Sequence, residues 1–196
     1  MNNINVTPEF VLAGASTFTV SNMKGTHYTY HVSKSKPSEK FPNPAYFASV
    51  LTGDDNSNQD HYLYIGLVKV STNPTTDPVL ISTAKSKFRG DTERFKILQW
   101  ALKVIWQSAH GKYRLPEDRA TIQHVGNCGR CGAKLTNPAS LDTGLGPECA
   151  EKVGVPWRER HLTFGELLPP PTTQETVDRL RSKFVGGNPH HPDNYR

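Results

Sequence analysis

The chain has 196 residues, 35% of them hydrophobic and 21% charged, with 23 Lys and Arg against 18 Asp and Glu for a net charge of +5. That length holds one modest domain or two small ones. Its longest apolar run, Ile97 to Trp106, is broken by Gln99 and Lys103 and falls short of the roughly 18 apolar residues a membrane span needs. The opening residues, Met1 to Asn5, lack the basic and apolar regions of a secretory signal, so a cytoplasmic protein without a membrane partner is expected.

Five short strands come first: Phe18 to Val20, Tyr28 to Val32, Tyr46 to Leu51, Tyr62 to Val70 and Val79 to Ile81. They are rich in β-branched and aromatic residues and are separated by Gly, Pro, Asn and Asp clusters. The connections are too short for crossover helices, which predicts an antiparallel meander. The strand aromatics read as core or cross-strand packing rather than a base-stacking platform, because aromatics are common in strands and no ribonucleoprotein pattern is present.

A helix is expected from Asp91 to Ala109. Asp91 is positioned to cap it, Glu93 suits the positive end of its dipole, and Gly111 supplies a left-handed stop. Phe95, Leu98, Leu102, Ile105 and Ala109 recur at spacings of three and four, with Ile97, Ala101 and Val104 widening the stripe. Such a face packs on the preceding sheet, and Trp100 and Trp106 read as packing residues.

The next segment carries specific chemistry. All three cysteines, Cys128, Cys131 and Cys149, lie within it, and an odd, clustered set fits metal binding better than a disulfide framework. A C-x2-C turn places two thiolates on one zinc ion, with sulfur about 2.3 Å from the metal. Gly132, just after the second thiolate, is where a sharp reversal calls for positive φ. Pro147 suits the first turn of a helix that brings Cys149 to its N-terminus, where the dipole favours a thiolate. His124 is the leading candidate for the fourth ligand, with His161 or an acidic group as alternatives. Four protein ligands leave no place for a metal-bound water, so the zinc reads as structural.

Beyond it, Leu167 to Pro171 forms a stiff linker. Thr172 to Glu175 then offers a capping box opening a short helix, with Val177, Leu180 and Phe184 on one partner-binding face. The expected architecture is therefore α+β: an antiparallel sheet packed by one long helix over residues 10–115, a small zinc knuckle over 120–156, and an extended arm over 157–196.

The charge is unevenly spread. Residues 84–119 carry nine basic and four acidic groups, while the segments on either side are close to neutral. Such a surplus is the footprint of a surface that meets phosphates; it is also what the solvated face of an apolar helix looks like. Lys85, Lys87, Arg89, Lys112 and Arg114 are the candidate phosphate contacts, with Arg130 and Lys134 extending the footprint to the knuckle.

Catalytic signatures are missing. Asp54 to Gln59 begins like a calcium loop, but Gln59 stands where glycine is needed and Ile65 where glutamate is needed. There is no phosphate-binding loop, no nucleophile elbow and no H-E-x-x-H, and every cysteine is assigned to metal, so a non-enzyme is expected.

The run from Cys128 to Ala150, with Leu135, Thr136, Pro138 and Ser140 between the cysteines, resembles a short zinc-binding domain of unknown function common in proteins of phages and other mobile elements. Its pattern is C-G-x-C-G, then L-T-x-P-x-S, then G-[IL]-G-P-x-C. The likeness spans about a sixth of the chain and implies a zinc-stabilised module of viral origin, without an activity. Two functions from different classes follow: a phage-type nucleic-acid-binding accessory protein, DNA or RNA, or a phage-encoded inhibitor that binds a host protein.

Overall fold

Alternation along the first two strands sets the layout. In β1 (Ala15–Asn22) and β2 (His27–Lys34), Phe18, Val20, Tyr30 and Val32 point into the core. Thr17, Thr19, His31 and Ser33 occupy the alternate positions and so the other face. The hairpin turn is held by the Asn22 side chain, which accepts from the Lys24 and Thr26 amides, and Gly25 supplies a φ of +84°. The computed structural model describes residues 3–37, 39, 43–116 and 118–157.

β3 (Tyr46–Leu51), β4 (Tyr62–Lys69) and β5 (Val79–Ile81) extend the sheet, each antiparallel to its predecessor, so the expected meander is the observed one. Ala48 pairs with Gly66 but Ser49 pairs with Tyr64, so β4 carries one extra residue and bends there. A sixth strand, β6 (Ala120–His124), was not expected; it pairs antiparallel with β1, giving the order β5-β4-β3-β2-β1-β6. Composition assigned these residues to the zinc module, and only Ala120 and Ile122 mark them as a strand with one buried face.

Four residues at Pro8–Val11 form a short helix, α1, capped by Thr7. The long helix, α2, spans Glu93–Ala109. Its cap is Thr92 rather than Asp91, and the Thr92 hydroxyl donates back to the Arg89 carbonyl instead of accepting from the first turn. Phe95, Leu98, Ala101, Leu102, Val104, Ile105 and Trp106 are buried against the inner face of the sheet, whereas Ala109 and Trp100 are exposed. Two polar tethers lock the packing. The Tyr30 hydroxyl donates to the Arg94 carbonyl at 2.9 Å, and Gln99 accepts from the Leu80 amide and donates to the Pro78 carbonyl. The second tether caps the outer side of β5, an edge strand that would otherwise present open backbone groups.

The N-terminal segment belongs to the fold from Asn3 onward. Ile4 forms a parallel bridge to Ile122, the Ile122 amide donates to the Asn3 carbonyl, and the Asn5 side chain accepts from the His124 amide. This covers the free edge of β6. The expected boundary between 115 and 120 falls inside one compact unit, Met1–Glu159, because β6 joins the sheet directly to the cysteine segment. No helix among the described residues is long and apolar enough to cross a membrane.

Candidate metal centre and basic surface

Immediately after β6 the chain turns into a tight ribbon, with Asn127 bridged to Lys134, the Cys128 amide donating to the Ala133 carbonyl, and the Gly132 amide to the Cys128 carbonyl. Gly132 takes the positive φ expected of it, +76°. A helix that the sequence did not reveal, α3 (Pro138–Thr143), follows: Asn137 caps it by accepting from the Ala139 amide, and Pro138 starts it. Gly144 ends it at φ +72°. Then α4 (Pro147–Lys152) begins at Pro147, as expected, and carries Cys149 in its first turn.

These turns bring the sulfurs of Cys128, Cys131 and Cys149 within 4.8 Å of one another, and all three are free thiols. Three sulfurs on a tetrahedral zinc lie roughly 3.8 Å apart, so the cluster has the size and donor softness to hold a metal ion. Burial pushes the Cys128 thiol up, but the backbone amides of Gly146, Cys131 and Arg130 all donate to its sulfur and outweigh that, bringing it down to about 7. In the absence of metal, Cys149 shifts the other way from Cys128. Burial pushes it up to about 11, and the neighbouring sulfurs of Cys128 and Cys131 add to the rise. A one-turn advantage from a six-residue helix is too weak to offset those effects.

His124 is not brought to the sulfurs. Its Nδ1 accepts from the Gly126 amide at 3.0 Å, and its Nε2 lies 2.6 Å from the Leu141 carbonyl. An amide only donates and a carbonyl only accepts, so the ring is the neutral tautomer with its proton on Nε2, and neither nitrogen is free for metal. The ring instead packs against Phe10, 5.5 Å between centroids. Among the described residues no histidine or carboxylate joins the three cysteines, so they do not assemble the closed four-ligand set from which a structural zinc was expected. His161, the alternative ligand, lies outside the described residues, as do Val177, Leu180 and Phe184.

The module has a core of its own, made of Ala13, Cys128, Leu135, Leu145, Cys149 and Ala150, with Val153, Val155 and Trp157 packed on it. Trp157 donates its indole N–H to the buried Ser140 hydroxyl. Phe10 of α1, fully buried, plugs this module into the sheet. A Cβ on Gly129 would stand 2.7 Å from the Phe10 ring, and one on Gly144 would collide with the same ring. The two glycines therefore exist for close approach as much as for turning. Sequence reasoning missed Phe10 because it lies more than a hundred residues from the cysteines; the hint was a pair of glycines in a module with too few large side chains.

The candidate basic residues do not form one patch. Lys85, Lys87 and Arg89 are exposed on the loop before α2, beside β4. Lys112 and Arg114 follow the other end of α2, whose 17 residues span roughly 25 Å. There they line a groove of about 730 Å³, and the Lys112 ammonium donates to the Thr75 carbonyl. Arg130 and Lys134 are exposed at the knuckle on the β6 side, a sheet width of roughly 24 Å from the β5 edge. The Arg130 side chain is hydrogen-bonded to the Cys149 sulfur, which draws it toward the cluster.

Residues 118–154 match the family DUF6011, described as a family of unknown function. The match covers the cysteine module and β6 but not the rest of the sheet. No curated protein and no solved structure matches the chain.

Proposed function

We propose that the protein is a zinc-stabilised nucleic-acid-binding accessory protein of the phage type, in which the three-cysteine module is structural and the basic loop ahead of α2 contacts phosphates. One observation carries this reading: Lys85, Lys87 and Arg89 are all exposed, and none pairs with a carboxylate among the described residues, where the ion pairs are His61–Asp54 and Lys152–Glu148. Three uncompensated cations at alternate positions of one loop are available to a polyanion. Zinc suits the sulfur donors, and the thin core of the module gives the metal a folding role.

The test is equilibrium binding of labelled DNA and RNA at several salt concentrations, with and without reversal of all three charges to Glu. The triple variant should bind far more weakly, and its dependence of log K on log salt should flatten by roughly 2 to 3. Unchanged affinity would remove this surface. Absence of binding by the unmodified protein at low salt would overturn the nucleic-acid reading and leave capture of a host protein as the function to pursue.

A further inference from the structure

None of the six strands contains an aspartate or glutamate. Pairing register places Phe47 opposite Leu67, Ser49 opposite Tyr64, and Leu67 opposite Ile81, so these residues share the outer face of the sheet, away from α2. None of them enters either core, and among the described residues no helix packs over them. Phe47 is 37% exposed and Ile81 39%, so two large apolar side chains on this face are left open by the described residues. The rings of Phe47 and Tyr64 lie 6.2 Å apart and tilted, leaving an open concavity of about 550 Å³ bordered also by Leu67, Thr83 and Lys85.

The loop that supplies Lys85 is pinned beside these rings. The Lys87 amide donates to the Tyr64 carbonyl, the Thr83 hydroxyl to the Tyr64 hydroxyl, and the Thr83 amide to the Ser86 hydroxyl. Two lysines on a pinned loop therefore edge this part of the aromatic surface, where no strand residue is acidic and Asp55 stands beyond Tyr62 at the far end of β4. Apolar protein partners do not require that electrostatic frame; a strand of nucleotides requires both halves of it, flat faces for its bases and cations for its phosphates.

We propose that Phe47 and Tyr64 are stacking residues for unpaired bases, so that the outer face of β3 and β4 binds single-stranded nucleic acid whose phosphates run past Lys85 and Lys87. This rests on the nucleic-acid reading above and narrows it: bases inside a duplex keep their faces stacked on one another and cannot reach the rings.

The experiment is fluorescence anisotropy of the full chain with a labelled twelve-residue oligothymidylate, the matching oligouridylate and a duplex of equal length. The proteins compared are the unmodified chain, Phe47→Ala, Tyr64→Ala and Tyr64→Phe, each checked for its fold by circular dichroism. Single strands should bind more tightly than duplex. Each alanine should weaken single-strand binding roughly 5- to 150-fold, as loss of one stacked base does, with the salt slope unchanged. Tyr64→Phe should bind like the unmodified protein, because a ring without the hydroxyl still stacks. Alanine variants that bind single strands as well as the unmodified chain, or a preference for duplex, would overturn the stacking site while leaving the nucleic-acid reading intact. No binding to any of the three probes would overturn both.

Discussion

The sheet with α2 and the cysteine module are parts of one unit held together by different physics. The first buries more than twenty residues in a continuous apolar core, with Tyr30, Phe18, Ile65, Leu98, Leu102 and Ile105 fully enclosed. The second has six buried residues, two of them cysteines and none larger than leucine, with Trp157 only partly buried against them. A segment of that size and core rarely folds without a metal or a staple. Here it has two supports: three sulfurs around one point, and Phe10 inserted from outside. The contrast teaches that one chain can hold one region by area removed from water and give another, with little core, a set of sulfur donors able to hold a metal ion.

The largest effect expected from that contrast is at the sulfurs. Cys149→Ser should unfold residues 125–157 while the sheet persists, since structural zinc binding in small modules is worth on the order of 10 kcal/mol and is folding energy. Limited proteolysis should then cut within 125–157 and spare 15–109. Phe10→Ala comes next. It should cost about 3–5 kcal/mol in denaturant unfolding and also weaken zinc in competition titrations, because the ring that sits in the sheet's core also lies against Gly129 and Gly144 of the module. If its zinc affinity is unchanged, the two regions are less coupled than the packing of Gly129 and Gly144 on Phe10 requires.

The smallest effect lies on the outer face. Burial holds the His31 imidazole below its ordinary value of 6.5, and its Nδ1 lies 2.9 Å from the Thr17 hydroxyl. The folded protein therefore disfavours the proton. The stability this contributes is complete above pH 6.5 and declines as the pH falls from there toward the lower folded value. Thermal melts at pH 7.5 and 5.5 should show a drop in Tm for the unmodified protein that is reduced in His31→Gln.

The regularity of the sheet made it legible. Alternation in β1 and β2, and the three-four spacing of Phe95, Leu98, Leu102 and Ile105, are local patterns with a direct structural meaning, and the strands and helix lie where those patterns put them. The three cysteines were legible for the same reason, through the knuckle spacing and Pro147. What escaped was long-range or conditional. β6 has too few apolar residues to be marked as a strand without β1 beside it. α3 is announced by Asn137 and Pro138 alone. His124 has ligand spacing in sequence, but the Gly126 amide and the Leu141 carbonyl take both ring nitrogens, and only the folded chain brings Leu141 within reach. Lys85, Lys87 and Arg89 are separated in space from Lys112 and Arg114 by the helix between them, and Arg130 and Lys134 lie apart at the knuckle.

The most direct test of the account is amide hydrogen exchange of the zinc-loaded protein, read by mass spectrometry before and after removal of the metal with a chelator. Peptides within 126–157 should lose their protection, and those covering β1 to β5 and α2 should keep it. Protection unchanged across 126–157, or lost together throughout the sheet, would contradict the claim that ligation holds one region and apolar burial the other.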